Sequence, residues 1–225
     1  MQPGRIMSVN VAVVRTGPWT GRKKRSGIDK RPVDHPVRLG TDGVEGDTVC
    51  DTADHGGPFQ AVYAYSTDDL DFWAGQLQRP VGPGNVGENL TVAGVDCSHA
   101  VVGEIWRVGE AVLRVTGPRT PCRVFAGFLD VPDMIKRFFA ARRPGCYLAV
   151  EHEAAVAAGD PVTVLSRPEH GVTVAEFMAA MGGDRTLLPH VARARYDMRG
   201  RGREWLTRVL QSNAAAKQGG DVQVE

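Results

Sequence analysis

The chain has 225 residues, of which 42% are hydrophobic and 24% charged, a composition that excludes wholesale disorder. Its formal net charge is +1, so no overall field attracts it to nucleic acid or anionic lipid, and recognition of phosphate would need a local cluster of cations. No apolar run reaches the roughly 18–20 residues of a membrane span, and the first residues lack the apolar stretch of a secretion signal. We therefore expect a cytoplasmic protein without a membrane partner.

Short β-strands are predicted up to about residue 166, because β-branched residues recur between turns rich in glycine and proline. Helix signals interrupt this series twice, first at residues 66–77 and again at residues 130–145. Strands dominate and few of them alternate with helices, so the pattern predicts a mainly β fold with some α, a β-barrel with peripheral helices. The predicted strands are residues 9–14, 60–65, 89–92, 104–108, 112–116, 146–150 and 161–165.

The pattern changes near Arg167. A capping-box sequence at residues 173–176 predicts a helix over 174–181, and apolar spacing predicts two more, over about 187–194 and 203–210. We therefore predict a barrel domain over residues 7–166 and a small three-helix bundle over 167–212. Residues 213–225 are predicted to form a disordered tail.

The most basic segment is residues 22–31 (RKKRSGIDKR), which contains six basic residues and one acidic residue. Cations, a serine hydroxyl and the backbone of a Ser-Gly step can together bind a phosphate group. A solvated basic loop or a weak nucleic-acid patch would have the same composition, so this segment alone leaves the choice open.

Two further segments place polar side chains among glycines. His55 is followed by Gly56 and Gly57, which would let the backbone approach a ligand while the imidazole transfers a proton. Asn89, in the sequence GENL at residues 87–90, could contact polar ligand atoms or cap a turn. Either feature alone is also compatible with a purely structural role.

Cys122 has the most reactive surroundings of the four cysteines. It follows a predicted strand and lies between Arg119 and Arg123, and nearby positive charge lowers the pKa of a thiol. A thiolate in such a loop suits a metal ligand or a nucleophile. Cys146, in an apolar strand, is predicted to be a buried core residue. No C-x-x-C pair is present, which argues against a zinc knuckle or an iron–sulfur cluster.

Taken together, these segments and the sequence GVEGD at residues 43–47 resemble the MOSC domain proteins (molybdenum cofactor sulfurase C-terminal domain), specifically their YiiM-like subgroup with a C-terminal three-helix appendage. The resemblance covers residues 7–210. It implies a β-barrel-like MOSC fold that binds molybdenum cofactor (molybdopterin), a pterin dithiolene with a phosphate; pyridoxal phosphate is not expected. It also implies that Cys122 ligates molybdenum and that His55 and Asn89 line the same catalytic pocket. The cofactor-binding residues implied are Arg25, Ser26, Lys30, Gly56, Gly57, Arg119 and Thr120.

The activity that the resemblance implies is reduction of N-hydroxylated compounds such as hydroxylaminopurine base analogues. The chain shows neither a ferredoxin-type cysteine run nor a dinucleotide-binding glycine motif, so electrons are expected from a separate reductase protein. Two alternatives remain open: a cofactor or sulfur carrier that uses a Cys122 persulfide, and a binding module for nucleotides without turnover. A homodimer is compatible with the sequence.

Overall fold

The computed structural model describes residues 4–220, with side chains to residue 213. The strands in chain order are β1 (Gly4–Ala12), β2 (Lys30–Val33), β3 (Val37–Gly40), β4 (Gly43–Val44), β5 (Val62–Ser66), β6 (Leu90–Ala93), β7 (Ile105–Val108), β8 (Ala111–Gly117), β9 (Cys146–His152), β10 (Ala154–Val156) and β11 (Pro161–Ser166). The α-helices are α1 (Thr67–Leu77), α2 (Arg123–Phe128), α3 (Met134–Ala141), α4 (Val174–Met181), α5 (Leu188–Val191) and α6 (Gly200–Gly220). Short 3₁₀ helices lie at Pro18–Lys23, Arg185–Leu187 and Ala192–Ala194.

A closed barrel forms the centre of the fold. The strand order is β11-β7-β8-β9-β5-β6-β1-β2, and β1 also pairs with β11 through Gly4 and Val162. This last pairing closes seven strands into a barrel, with β2 extending from β1. The pairs are antiparallel except β5 and β6, which run parallel. A small sheet of β10, β3 and β4 lies beside the barrel. The predicted β-barrel with peripheral helices is confirmed.

Two apolar clusters stabilise this arrangement. One fills the barrel with alternate strand residues, among them Trp106 and Leu113, because successive side chains of a strand point to opposite faces. The other lies under α1, α2 and α3, where the rings of Trp73 and Phe138 stack with centroids 5.7 Å apart. Phe125 of α2 joins this second cluster and meets Phe138 edge to face. The second cluster therefore holds the segment that begins at Cys122.

Each of the seven predicted strands corresponds to an observed strand, and the predicted helices correspond to α1 and α3. β2, β3, β4 and β10 are not predicted from the sequence, because they have only two to four residues and little apolar alternation. No helix is predicted directly after Cys122, whereas Arg123–Phe128 form α2. This helix has six residues and no side-chain cap, so it depends on the burial of Phe125 and carries little local signal.

The three predicted C-terminal helices are present as α4, as α5 with its flanking 3₁₀ turns, and as α6. The capping box is confirmed: Glu176 N donates to Thr173 Oγ1 at 3.2 Å, and Thr173 N donates to Glu176 Oε2 at 2.9 Å. Val174, Phe177 and Leu206 belong to the same buried cluster as the barrel interior. The boundary at Arg167 therefore separates two kinds of structure that share one core.

Two limits of the predicted domains differ from the structure. β1 begins at Gly4, so the barrel includes residues before the predicted start at residue 7. α6 continues to Gly220, although a disordered tail was predicted over 213–225; three consecutive alanines after residue 213 favour continued helix. Residues 221–225 lie outside the described residues. No helix within residues 4–220 combines the length and apolarity that crossing a membrane requires.

Candidate cofactor site

A cavity of about 1010 Å³ opens at one end of the barrel. Its wall is built from the basic segment, the β4–β5 loop, the loop between β8 and α2, and single residues of β5, β9 and α6. Segments far apart in sequence therefore converge on one space. The predicted site residues that line it are Arg25, Ser26, Lys30, His55, Gly56, Asn89, Arg119, Thr120 and Cys122. Gly57 lies instead against a smaller adjoining cavity.

Cys122 is the N-terminal boundary residue of α2 and is partly buried in the cavity wall. Burial alone would raise the pKa of its thiol, but the nearby His55 and the charge of Arg119 lower it from 9.0 to about 7. The sequence predicts this effect from both flanking arginines, Arg119 and Arg123. Arg123 is exposed to solvent, which screens its charge, so Arg119 is the arginine that matters.

Arg119 is a buried cation with an unsatisfied donor. Its residue is only 4% exposed, and its guanidinium lies 4.4 Å from the ring centroid of Phe125 and 5.6 Å from that of Tyr63. Nη1 is buried and has no hydrogen-bond partner within the described part of the chain. A buried N–H without a partner costs free energy, so this group suits a site that receives an anionic or acceptor ligand.

Lys30 and Asn89 are both bound to Asp47, which stands out in the sequence only as part of the segment at residues 43–47. Lys30 Nζ forms a buried ion pair with Asp47 Oδ2, and Asn89 Nδ2 donates to the same oxygen at 2.9 Å. Asn89 Oδ1 accepts a hydrogen bond from the backbone of Tyr63 at 3.2 Å. Burial lowers the pKa of Lys30, an effect that Asp47 opposes. Asn89 thus positions Asp47, and its catalytic role stays a prediction.

The basic segment forms the exposed rim of the cavity. Arg25 is exposed, whereas Ser26 is buried and its Oγ accepts a hydrogen bond from the Ile28 backbone at 3.2 Å. Gly27 passes so close to the loop after β4 that a Cβ atom there would lie 2.0 Å from the carbonyl oxygen of Thr48. A glycine is therefore required for the basic segment to reach the cavity.

His55 lies on a loop that the C-terminal helices hold in place. Its Nδ1 is 3.5 Å from the hydroxyl of Tyr147, and burial raises the pKa of that tyrosine. Arg201 of α6 donates to the backbone carbonyls of Ala53 and Asp54, and its side chain lines the cavity. Tyr147 and Arg201 are not predicted as site residues from the sequence, because neither belongs to a recognisable motif.

Comparison with known proteins places these features in a family. A profile of the MOSC domain matches residues 51–163. The uncharacterised protein YflK of Bacillus subtilis is 36% identical over 169 residues, which cover 75% of this chain and 76% of that protein. The chain belongs to the MOSC domain family. The family predicted from the sequence is confirmed.

Two further proteins are similar to this chain, one in structure and one in sequence. The crystal structure of YiiM from Geobacillus stearothermophilus has a TM-score of 0.75 at 25% identity, covering 92% of this chain and 98% of that one. The C-terminal helices of this chain therefore belong to an architecture that it shares with that YiiM structure. A protein of Gibberella moniliformis named "Reductase" is 30% identical over 74% of this chain, which covers only 30% of that longer protein.

Proposed function

We propose that this MOSC domain protein is an oxidoreductase that binds molybdenum cofactor and reduces N-hydroxylated compounds such as hydroxylaminopurine base analogues. The observation that carries the proposal is the Cys122 thiol, whose pKa of about 7 results from His55 and the buried Arg119 in the wall of a large cavity. The family and the relative named as a reductase support an enzymatic role.

The residues present fit this cofactor. A thiolate is a soft ligand, suited to a metal that is already bound by dithiolene sulfur. Nη1 of Arg119 offers a buried donor to a negatively charged group. The cavity volume of about 1010 Å³ lies at the upper end of the range for small-molecule pockets, which suits a ligand as long as a pterin with a phosphate.

Different parts of the cavity would hold different parts of the cofactor. Cys122 would ligate the metal, and Arg119 would neutralise negative charge near it. Arg25, Ser26 and Lys30 would bind the phosphate, with the larger share of the charge coming from Arg25, because Lys30 is already paired with Asp47. When bound, the cofactor would supply the two-electron chemistry.

The protein's own contribution to the reaction is proton delivery and orientation. Reduction of an N-hydroxyl group consumes two electrons and two protons, breaks the N–O bond, and yields an N–H group and water. His55, which lowers the pKa of Cys122 and whose Nδ1 lies 3.5 Å from the Tyr147 hydroxyl, is the proposed proton donor. The two electrons would come from a separate electron-donor protein.

The test uses protein made in a host with an intact cofactor pathway. We expect the wild type to contain molybdenum and pterin and to reduce hydroxylaminopurine when a reductant is supplied. Cys122→Ala should lose turnover while retaining part of the pterin through its phosphate. Cys146→Ala is the matched control, because Cys146 is fully buried in the barrel core and does not line the cavity. Full turnover by Cys122→Ala would exclude the metal-ligand role.

The same thiolate favours a second candidate function, a carrier that holds sulfur as a Cys122 persulfide. Mass spectrometry distinguishes the two functions: a mass increase of one sulfur on Cys122 without bound pterin supports the carrier. Nucleotide binding without pterin or turnover would support the third possibility, a binding module.

A further inference from the structure

The C-terminal helices meet the barrel at a contact that lies away from the cavity of the candidate site. Val102 N, in the loop before β7, donates to the carbonyl oxygen of Val172 at 3.0 Å. Asp197, shortly before α6, packs on the same loop, where a Cβ atom at Gly103 would lie 2.8 Å from that of Asp197. None of these residues lines the cavity. We call residues 101–103, 170–173 and 197 the junction.

His170 places a titratable ring in the junction, with its side chain only 9% exposed. Its Nδ1 accepts a hydrogen bond from the backbone N–H of Val172 at 3.0 Å, so the proton of the neutral ring must lie on Nε2. Nε2 is 3.4 Å from Asp197 Oδ2 but makes no hydrogen bond within residues 4–213. The ring therefore lies between the backbone before α4 and the segment before α6.

The neutral ring suits this backbone better than the protonated ring does. Protonation puts a second N–H on Nδ1, which would then face the N–H of Val172 and could no longer accept from it. Val172 is fully buried, so loss of that acceptor would cost free energy. Asp197 is the compensating group, because its carboxylate would attract the charged ring at Nε2.

The charged groups around the ring do not offset this cost. Burial lowers the pKa of His170 from its usual 6.5, and Asp197 acts in the opposite direction. Arg193 and His190 lower the pKa further, because another positive charge nearby disfavours protonation of the ring. Glu176 of α4 forms a pair with His190 Nε2 at 3.3 Å. The folded protein therefore binds a proton at His170 less readily than the unfolded chain does.

We propose that His170 is a pH-sensitive latch, which holds the C-terminal helices on the barrel while its ring is neutral and loosens them when it is protonated. Below pH 6.5 the unfolded chain binds a proton at this side chain that the folded protein resists. The stabilisation from the neutral ring is therefore present above that pH and is lost as the pH falls. The segment that loosens contains Asp197 and leads into α6. The latch does not rest on the proposed function, since it involves neither Cys122 nor a cofactor.

The first test compares the urea-denaturation midpoint of the full chain with those of two variants, between about pH 5 and pH 7.5. His170→Asn retains an acceptor for the Val172 N–H, because Oδ1 lies at about the position of Nδ1, and it cannot be protonated in this range. His35→Asn is the matched control, because the His35 side chain is 67% exposed and lies outside the junction. The pH response of Glu88 is common to all three proteins and cancels in the differences.

We expect the midpoint of the wild type to fall relative to that of His170→Asn as the pH is lowered through 6.5. The difference between the wild type and His35→Asn should stay constant. A difference between the wild type and His170→Asn that does not change with pH, or that changes in the opposite direction, overturns the latch.

The second test needs no variant and shows where the protein loosens. Hydrogen exchange of the wild type is followed by mass spectrometry, corrected for the intrinsic pH dependence of exchange, over residues 188–201 and over β8. Protection over residues 188–201 should decrease on acidification by a larger factor than protection in β8. Unchanged protection over residues 188–201, or an equal decrease in both segments, overturns the latch. This result decides even if His170→Asn does not fold.

Discussion

Replacement of Arg119 by methionine is predicted to raise the pKa of the Cys122 thiol. Burial acts to raise that pKa, whereas His55 and Arg119 lower it from 9.0 to about 7. About half of the thiols are therefore ionised at pH 7. Without the Arg119 charge, and with His55 retained, the pKa should rise to roughly 8, which leaves about one tenth of the thiols ionised at pH 7. Methionine keeps most of the apolar stem that packs on Phe125.

The assay is the rate of alkylation by iodoacetamide as a function of pH, in metal-free protein. A Cys50→Ser background removes the other partly exposed thiol, since Cys97 and Cys146 are fully buried. The matched control is Arg123→Met, which removes an exposed charge on the other side of Cys122 and should leave the pH profile in place. An unchanged midpoint in Arg119→Met, or an equal shift in the control, would refute the assignment to Arg119.

Three further predictions concern the rim, the core and the helices. Replacing Arg25 and Lys30 by alanine should weaken cofactor retention about tenfold or more, which is measured as the pterin content of the purified protein. Arg31→Ala is the control, because Arg31 does not line the cavity. Burial raises the pKa of Glu88 from 4.5 to about 7, so the folded protein binds a proton there that the unfolded chain has released. Stability should therefore fall by about 3 kcal/mol as the pH rises between these values, and Glu88→Gln should lack this slope in urea denaturation. Truncation after Ser166 should leave a folded barrel with a lower denaturation midpoint, because α4 and α6 contribute to its core. Loss of cooperative unfolding in the truncated protein would show instead that the barrel cannot fold without these helices.

The parts of the fold that the sequence predicted well are those with a strong local signal. The strand containing Leu113 alternates in the period of two that a half-buried strand requires, and the box at Thr173 and Glu176 determines the start of α4. Closure of the barrel, by contrast, has no local signal in the sequence. It depends on two residue pairs, Gly4 with Val162 and Arg5 with Pro161, and nothing local in either segment specifies that contact. β2 and β10 escape detection for the same reason, since their partners define them.

The candidate site shows the same division. Segments with unusual composition, such as those containing Cys122, His55 and Arg25, were identified because reactive and basic side chains among glycines and prolines stand out in a sequence. The residues that contact these reactive and basic side chains, and so determine their pKa values and charge, do not stand out in the sequence.

Asp47 is an ordinary aspartate in sequence, yet the fold buries it against Lys30 and Asn89, where it neutralises one predicted phosphate ligand and engages the amide of a predicted catalytic residue. The resemblance assigns Arg119 to cofactor binding, but only the structure shows that its guanidinium is buried and that Nη1 has no hydrogen-bond partner among the described residues. Two cations of the same predicted group therefore differ in what they can offer a ligand. Arg119, whose Nη1 has no hydrogen-bond partner within the described residues, has the most to gain from an anion. For this reason the charge beside Cys122, more than the number of cations in the basic segment, should determine how firmly a negatively charged cofactor is held.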